Sequence, residues 1–126
     1  MDDLAQIAIE QHDDVAVAHV GGEIDISNVA PARRELAAGV PDSACGLVVN
    51  LSDTSHLDSS GVYLLYELSK TLESRRKHIC VVAPPTAPST RVLFITGFDK
   101  VMPFTDTVEQ GLARVREDAA AREVRG

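Results

Sequence analysis

A short segment, Leu57-Asp58-Ser59-Ser60-Gly61, places two serine hydroxyls beside a carboxylate at the point where a helical pattern begins. Asp58 stands at the position expected of a helix N-cap, which puts Ser59 in the first helical turn. Backbone N–H groups of a first turn have no partner within the helix and attract a negative group such as phosphate. These residues alone leave two interpretations open, an ordinary helix cap and a serine that a kinase phosphorylates.

Phosphorylation of Ser59 would change the charge of this segment sharply. A phosphate adds about 1.5 to 2 negative charges near pH 7, and the carboxylate of the adjacent Asp58 makes that addition repulsive. A partner whose interface covers Ser59 would then bury an unpaired charge, at a cost of roughly 2–5 kcal/mol, or about 30-fold or more in affinity. A phosphorylated Ser59 would therefore act as a binding switch.

A serine hydrolase is the enzymatic alternative for this serine. The nucleophile elbow of that class requires a glycine two residues before the serine, and this chain has Leu57 there. A histidine base would also be needed; the chain has His12, His19, His56 and His78. The missing glycine argues against hydrolysis.

A receiver domain that carries a phosphoaspartate is a second alternative, because its length and its alternation of strands and helices are similar. That chemistry requires clustered carboxylates that bind Mg²⁺ beside an acceptor aspartate. Here no acidic pair follows the first predicted strand at the required place, and Asp53 comes two residues after the central strand. The sequence therefore disfavours this class as well.

The chain has 126 residues, of which 44% are hydrophobic and 25% charged, as expected of one globular domain. Its formal net charge of −7 argues against nucleic acid as a direct ligand. The first four residues lack the basic and apolar regions of a signal peptide, and no apolar run reaches membrane-spanning length. We therefore expect a cytoplasmic protein that does not bind membranes, with Cys45 and Cys80 as reduced packing residues.

Hydrophobic patterns predict a β-hairpin from two strands, at about residues 5–11 and 15–21, joined by a turn at residues 12–14. Compact apolar runs at 46–51 and 78–83 predict buried strands, and a short edge strand is expected at 101–104. Residues 52–57 are predicted to form a polar loop. In the second strand, Val15 and Val17 should face one side of the sheet, and Ala16, Ala18 and Val20 the other.

Four helices are predicted between and after these strands. The first begins at Ser27 or Asn28 and ends at Gly39; the second follows Asp58 and buries Gly61, Leu64, Leu65, Leu68 and Leu72. A short helix at 90–96 is expected to have Ser89 as its cap, and a final helix begins at Asp106 or Thr107. This order predicts an α/β fold over residues 1–118, with a mixed, mostly parallel sheet of four or five strands flanked by about four helices. Residues 119–126 are expected to fray.

Several motifs occur in a consistent order along these elements. They are Gly22-Glu23-Ile24-Asp25, Leu47-Val48-Val49-Asn50-Leu51, Leu57-Asp58-Ser59-Ser60-Gly61-Val62, Arg91-Val92-Leu93-Phe94, Gly97-Phe98 and Phe104. With these motifs the chain resembles the bacterial anti-sigma factor antagonists of the STAS domain family, from about Leu4 to Glu117.

The resemblance implies a regulator without catalytic residues, metal or cofactor. In this family the unphosphorylated antagonist binds an anti-sigma factor that is also an ATP-dependent serine kinase, and a sigma factor is released. The kinase then phosphorylates the antagonist, and a metal-dependent serine phosphatase resets it. The resemblance makes Ser59 the phosphorylation site, with Asp58 flanking and capping it and Asp25 near the kinase interface. We expect partner contacts at Asp25, Asp58, Ser60, Gly61 and Tyr63.

The chain departs from the family pattern at two places in the motif. Tyr63 stands where small residues are common, and it either borders the partner interface or covers its neighbours on the helix. His56 stands where an apolar residue is commoner. STAS-like domains also serve as scaffolds of signalling assemblies or as regulatory parts of transport proteins, which remains the alternative role within the same fold.

Overall fold

The chain alternates strands and helices through residues 5–125, which are the residues that this computed structural model describes. The strands are β1 (Gln6–His12), β2 (Val15–Ile24), β3 (Gly46–Asn50), β4 (Thr54–Leu57), β5 (His78–Val82) and β6 (Phe104–Thr105). The helices are α1 (Val29–Ala38), α2 (Ser59–Ser74), α3 (Pro88–Ile95) and α4 (Val108–Arg125), with one turn of 3₁₀ helix at Phe98–Lys100.

The strands form one mixed sheet with the order β1-β2-β3-β5-β6. The pair β1 and β2 is antiparallel, and the other neighbours in this row are parallel. Asp13, in the turn between β1 and β2, has a positive φ of 58°, a conformation that aspartate tolerates better than most residues. The predicted hairpin and mostly parallel sheet are confirmed, although the described residues form six strands rather than four or five.

The extra strand is β4, and the prediction of a polar loop at residues 52–57 is wrong at this point. β2 continues beyond the end of β3 to Ile24, and its last residues pair in parallel with β4. Thr54 is buried, with its hydroxyl donating to the carbonyl of Val20 at 2.7 Å. Leu57 is buried too, so this short strand leads directly into α2.

The apolar residues of β2 separate two cores, as their alternation predicts. Ala16, Ala18 and Val20 pack in the larger core, which α1, α2 and α3 cover. Val15 and Val17 pack in a smaller core with Val115 of α4 on the opposite face. The helices thus cover both faces of the sheet, with α2 in the larger layer.

The C-terminal end of α2 is fixed by two cationic side chains. The guanidinium of Arg75 donates to the carbonyls of Ala37 and Val40, at 3.2 and 2.7 Å. The buried Lys77 donates through Nζ to the carbonyls of Asp42 and Ala44. These bonds hold the end of α2 against the segment before β3, and Ser59 lies at the opposite end of the helix.

Three further expectations differ from the structure. Ser89 does not cap α3, because the helix begins at Pro88 and the buried Ser89 donates to the carbonyl of Leu51. The edge strand forms at Phe104–Thr105 rather than at 101–104, because the chain first makes the 3₁₀ turn. In the predicted frayed tail, residues 119–125 continue α4, as three consecutive alanines favour. Residues 1–4 and 126 lie outside the described residues.

Both cysteines are free thiols, Cys45 half-buried and Cys80 buried in the smaller core. Within residues 5–125, no helix combines the length and the apolar character needed to cross a membrane.

Candidate functional site

Ser59 is the first residue of α2, and its side chain is exposed. The chain reaches it from β4, so the start of α2 lies at the edge formed by the end of β2 and the end of β4. The Asp58 N–H donates to the carbonyl of Ile24 at 3.3 Å, which joins the start of α2 to the end of β2. The hydroxyl of Ser59 is therefore presented at the surface on a well-anchored backbone.

Asp58 is the N-cap of α2, as predicted. Its Oδ1 accepts from the N–H groups of Ser60 at 2.9 Å and Gly61 at 3.1 Å, and also from the Ser60 hydroxyl. The expectation that the first-turn N–H groups are unpaired and available to a phosphate is thus wrong for Ser60 and Gly61, because a carboxylate already occupies both. The same bonds turn the Ser60 hydroxyl toward Asp58.

Asp25 lies in the turn between β2 and α1, and its side chain organises that turn. Its Oδ1 accepts from the N–H of Ser27 at 2.9 Å and from the Ser27 hydroxyl. Asn28 occupies the N-cap position of α1, but its side chain makes no capping bond. It instead accepts from the Asp25 N–H and donates to the carbonyl of Glu23. The turn that carries Asp25 is therefore held by side-chain bonds on both sides.

Gly61 brings α2 close to the sheet edge. A methyl group at this position would lie 2.3 Å from Cδ1 of Leu57 and 3.0 Å from Cγ2 of Ile24. Gly61 is buried, so the structure gives it a packing role at the site. Its small size lets the first turn of α2 pack against Ile24, the residue before Asp25.

Tyr63 is 63% exposed and lies one turn after Ser59 on α2. Ile26, next to Asp25, is 79% exposed and was not identified from the sequence. The sequence does contain a signal for this exposure. Ile26 lies within the polar run Asp25-Ile26-Ser27-Asn28, and no apolar periodicity there predicts that it is buried in the core. His56 lies exposed on β4 beside the same edge.

Both carboxylates of the site remain ionised at neutral pH. Burial raises the pKa of Asp58, but the hydrogen bonds from Ser60 and Gly61 outweigh it, and the net pKa is lowered. The hydroxyl and N–H of Ser27 lower the pKa of Asp25, against an opposing effect from the charge of Asp58. The surface around Ser59 thus carries two fixed negative charges.

Among residues 5–125, none of the four histidines is hydrogen-bonded to Ser59. His19 is bonded to Glu10 at 2.6 Å and to Asn50 at 3.0 Å, and His12 lies 3.5 Å from the same glutamate. His78 begins β5, near the C-terminal end of α2. The fourth histidine, His56, lies on β4 three residues before Ser59, and, against the effect of burial, its charge contributes to lowering the pKa of Asp58.

We expect the Asp58 cap to contribute measurably to stability. Asp58→Ala should lower the free energy of unfolding by about 1–2 kcal/mol, because two N–H groups lose their acceptor. Asp58→Asn keeps a neutral acceptor and should cost less. Urea denaturation at pH 7 measures both, and equal stability of wild type and Asp58→Ala would contradict the capping role.

The same variants test the charge of Asp58 through its pH dependence. Because folding lowers the pKa of Asp58, the unfolded chain binds the proton first, and the stabilisation is complete above about pH 5 and lost as the pH falls further. The stability difference between wild type and Asp58→Asn should therefore shrink below about pH 5. A difference that stays constant down to acid would show that the charge contributes nothing.

Comparison with known proteins agrees with this arrangement. The profile of the STAS domain family matches residues 6–111. The anti-sigma-F factor antagonist RsfB of Mycobacterium tuberculosis is 30% identical over 114 residues, which is 90% of this chain and 92% of RsfB.

Two solved structures share the fold. The crystal structure of an anti-sigma factor antagonist from Mycobacterium paratuberculosis superposes with a TM-score of 0.80 at 33% identity, over 92% of this chain and 97% of that one. The Bacillus cell fate determinant SpoIIAA in its phosphorylated form gives a TM-score of 0.61 at 23% identity, over 87% and 99% of the two chains. The relatives at 30% and 33% identity are named as anti-sigma factor antagonists, and the chain belongs to the STAS domain family.

Proposed function

We propose that this protein is an anti-sigma factor antagonist that phosphorylation of Ser59 switches off. The unphosphorylated form binds an anti-sigma factor that is also a serine kinase, and a sigma factor is released. The observation that carries the proposal is the position of Ser59, exposed at the first residue of α2 beside the carboxylate of Asp58. The relatives at 30% and 33% identity are named as antagonists of anti-sigma factors, which supports the same role here.

In the proposed reaction, the kinase transfers the γ-phosphoryl group of ATP to Oγ of Ser59. The new P–O bond forms as the bond to the leaving ADP oxygen breaks, and the hydroxyl proton passes to a base of the kinase. A metal-dependent serine phosphatase reverses the modification: water attacks phosphorus, the bond from phosphorus to Oγ of Ser59 breaks, Oγ takes up a proton, and inorganic phosphate is released. The antagonist itself contributes the acceptor and its surroundings and catalyses neither step.

The electrostatics of the site explain why the phosphate would act as an off signal. Asp58 already takes the N–H groups of Ser60 and Gly61, so those groups do not neutralise a phosphate on Ser59. The phosphate would also add its charge to a surface where Asp25 and Asp58 are ionised. A partner covering Ser59 would therefore lose affinity. SpoIIAA, which shares the fold, is known in a phosphorylated form, so the fold accommodates such a group.

The partners in this proposal are proteins, and the site calls for no cofactor or metal. Asp25, Asp58, Ser60 and Tyr63 border the acceptor and are proposed to meet the kinase, with Gly61 supporting them from beneath. Direct nucleic-acid binding is not part of the function, because the chain carries a formal charge of −7. The proposed location is the cytoplasm, where sigma factors act.

The direct test is phosphorylation by the serine-kinase anti-sigma factors of the source organism. Each purified kinase is incubated with the protein and ATP, and the intact mass and modified residue are determined by mass spectrometry. We expect one kinase to add about 80 Da, the mass of one phosphoryl group, at Ser59. Ser59→Ala should show no gain. Ser60→Ala is the matched control and should still be modified, because the Ser60 hydroxyl is directed to Asp58.

Two outcomes would contradict the proposal. In one, none of these kinases modifies the wild-type protein or binds it. In the other, the mass gain persists in Ser59→Ala, so that another residue is the acceptor. Hydrolysis of an activated ester that disappears in Ser59→Ala would support the enzymatic alternative instead.

A further inference from the structure

Large apolar side chains are rarely exposed in this protein, and two of the exceptions lie beside Ser59. Among residues 5–123, whose side-chain exposure the structure describes, the mostly exposed ones are Ile26, Tyr63, Phe94, Ile95 and Val101. An exposed side chain of this kind lacks the stabilisation of roughly 1.5–3 kcal/mol that full burial would provide. A single exposed apolar residue is ordinary, but Ile26 and Tyr63 come from different segments that the fold places at one edge.

Tyr63 shares a helical face with Ser59. Residues four apart on a helix are neighbours, with Cβ atoms about 6 Å apart. The residues on either side of it, Val62 and Leu64, are buried in the core, whereas the Tyr63 ring remains outside. Hydrogen bonding to Glu67, one turn further along α2, raises the pKa of the Tyr63 hydroxyl. The ring thus lies along the exposed ridge of α2 next to the acceptor.

Ile26 is presented from the neighbouring turn. Asp25 is fixed on one side by Ser27 and on the other by Asn28, so the backbone that carries Ile26 is well defined. The carbonyl of Ile24, two residues earlier, accepts from the N–H of Asp58. Ile26 and Tyr63 therefore flank the pair Asp58-Ser59, one from the adjacent loop and one from the next helical turn.

We propose that Ile26 and Tyr63 are the apolar anchors of the partner interface and determine which kinase the protein recognises. The partner surface that fits them has an apolar cleft wide enough for a phenol ring, bordered by basic side chains that meet Asp25 and Asp58. This inference rests on the proposed function, since the partner is the anti-sigma factor kinase that modifies Ser59.

The anchors also sharpen the switch. Apolar contacts around the centre of an interface exclude water from it. A phosphate introduced at Ser59 then loses hydration without gaining a partner, which makes its presence more costly than at an open surface. Tyr63 and Ile26 thus raise the affinity for the partner. They also increase the ratio between the affinities of the unphosphorylated and the phosphorylated antagonist.

The first experiment measures binding of the variants to the purified kinase anti-sigma factor that phosphorylates Ser59, by titration calorimetry. Tyr63→Ala should weaken binding about tenfold or more and Ile26→Ala about fivefold, as expected for buried anchors. Tyr63→Phe should bind nearly as wild type, because the ring supplies the apolar area. Ile95→Ala is the matched control: Ile95 is 74% exposed on α3, outside both segments, and its loss should leave binding within about twofold.

The second experiment combines Tyr63→Ala with Ser59→Asp in a double-mutant cycle. The fold-loss caused by Ser59→Asp should be several times smaller in the Tyr63→Ala background, a coupling that a merely structural role for Tyr63 would not produce. An unchanged fold-loss would contradict the sharpening of the switch.

The outcomes separate this inference from the proposed function. If a kinase modifies Ser59 but binds Tyr63→Ala and Ile26→Ala as tightly as wild type, the anchors are refuted and the antagonist role stands. If Ile95→Ala weakens binding as much as the anchor variants do, the anchors have no special role. If no kinase of the source organism modifies or binds the wild-type protein, both proposals fail together.

Discussion

We expect Ser59→Asp to lower the affinity of the protein for the proposed anti-sigma factor kinase about 30-fold or more, because it would place an unpaired carboxylate in the proposed interface. The new charge lies beside Asp58, whose Oδ1 already holds the N–H groups of Ser60 and Gly61. Aspartate carries one negative charge, whereas phosphoserine carries about 1.5 to 2, so this figure is a lower bound for the modified protein. Titration calorimetry with the kinase measures the loss directly.

Two variants serve as controls for that result. Ser59→Ala introduces no charge and should bind within about threefold of wild type, since one exposed hydroxyl contributes little. Ser43→Asp makes the same chemical change at an exposed serine near the C-terminal end of α2, where Lys77 bonds to the flanking carbonyls of Asp42 and Ala44. The length of α2 separates it from Ser59 by about 24 Å.

The pattern across these variants decides the interpretation. Loss of binding in Ser59→Asp with retention in Ser43→Asp places the effect at the switch. Equal losses of affinity in both variants would show that the effect comes from the net charge of the protein and not from the position of the new carboxylate. Full binding by Ser59→Asp would show that the interface does not cover this residue, and the switch mechanism would then be wrong.

Gly46→Ala should be among the most destabilising single-methyl changes in the sheet. Gly46 begins β3, between Val15 of β2 and His78 of β5. An added Cβ would lie 2.5 Å from the carbonyl oxygen of His78 and 2.6 Å from Cγ1 of Val115. The first is backbone of a paired strand and the second is a fully buried side chain of α4, so neither can move without disturbing the sheet or the α4 layer.

We expect Gly46→Ala to lower the free energy of unfolding by about 3 kcal/mol, the upper part of the usual range for overpacking. The thermal midpoint should fall by roughly 10 °C for a domain of this size. Urea denaturation gives the free energy, and an unchanged m-value would show that the unfolded state is unaffected.

Gly21→Ala is the matched control, because Gly21 is also in a strand of the same sheet. Its added methyl would meet Gln6 and Asp53 only at 3.7 Å or more, in ordinary contact. We expect a change within about 1 kcal/mol, and in the stabilising direction, since alanine restricts the unfolded chain. Equal stability of the two alanine variants would contradict this explanation. It would show that close packing between β3, β5 and α4 is not the reason for glycine at position 46.

The predictions from sequence succeeded where the information is local. Asp58 followed by apolar residues at helical spacing predicted α2 and its cap, and both are present. The compact apolar runs of β3 and β5 predicted buried strands, because this pattern too is contained within a short stretch of the chain. β4 was missed because Thr54-Ser55-His56-Leu57 has no apolar alternation, and it becomes a strand only through its pairing with the extended end of β2.

The candidate site shows the same division. Asp25, Asp58 and Ser59 were identified from motifs. Asp25 and Ser59 are more than thirty positions apart in the sequence, so the motifs alone did not show how the two segments are arranged in space. Ile26 was missed because exposure is a property of the folded surface, and a lone isoleucine in a polar run carries no periodicity. The bonds from Ser60 and Gly61 to Asp58 are those of the predicted cap, but the sequence analysis still expected these N–H groups to be available to a phosphate.

The resemblance to the STAS family singled out Ser59 as the proposed phosphorylation site. By itself, the sequence predicted the order of the elements apart from β4, and the cap that starts α2. These follow from periodicity, capping chemistry and spacing, which act between neighbours along the chain. Only the tertiary structure brought the Asp25 turn to the start of α2, where the Asp58 N–H donates to the carbonyl of Ile24, and left Ile26 and Tyr63 exposed on these two segments. Those features depend on strand pairing and on close approach at Gly61, which join residues that are distant in sequence.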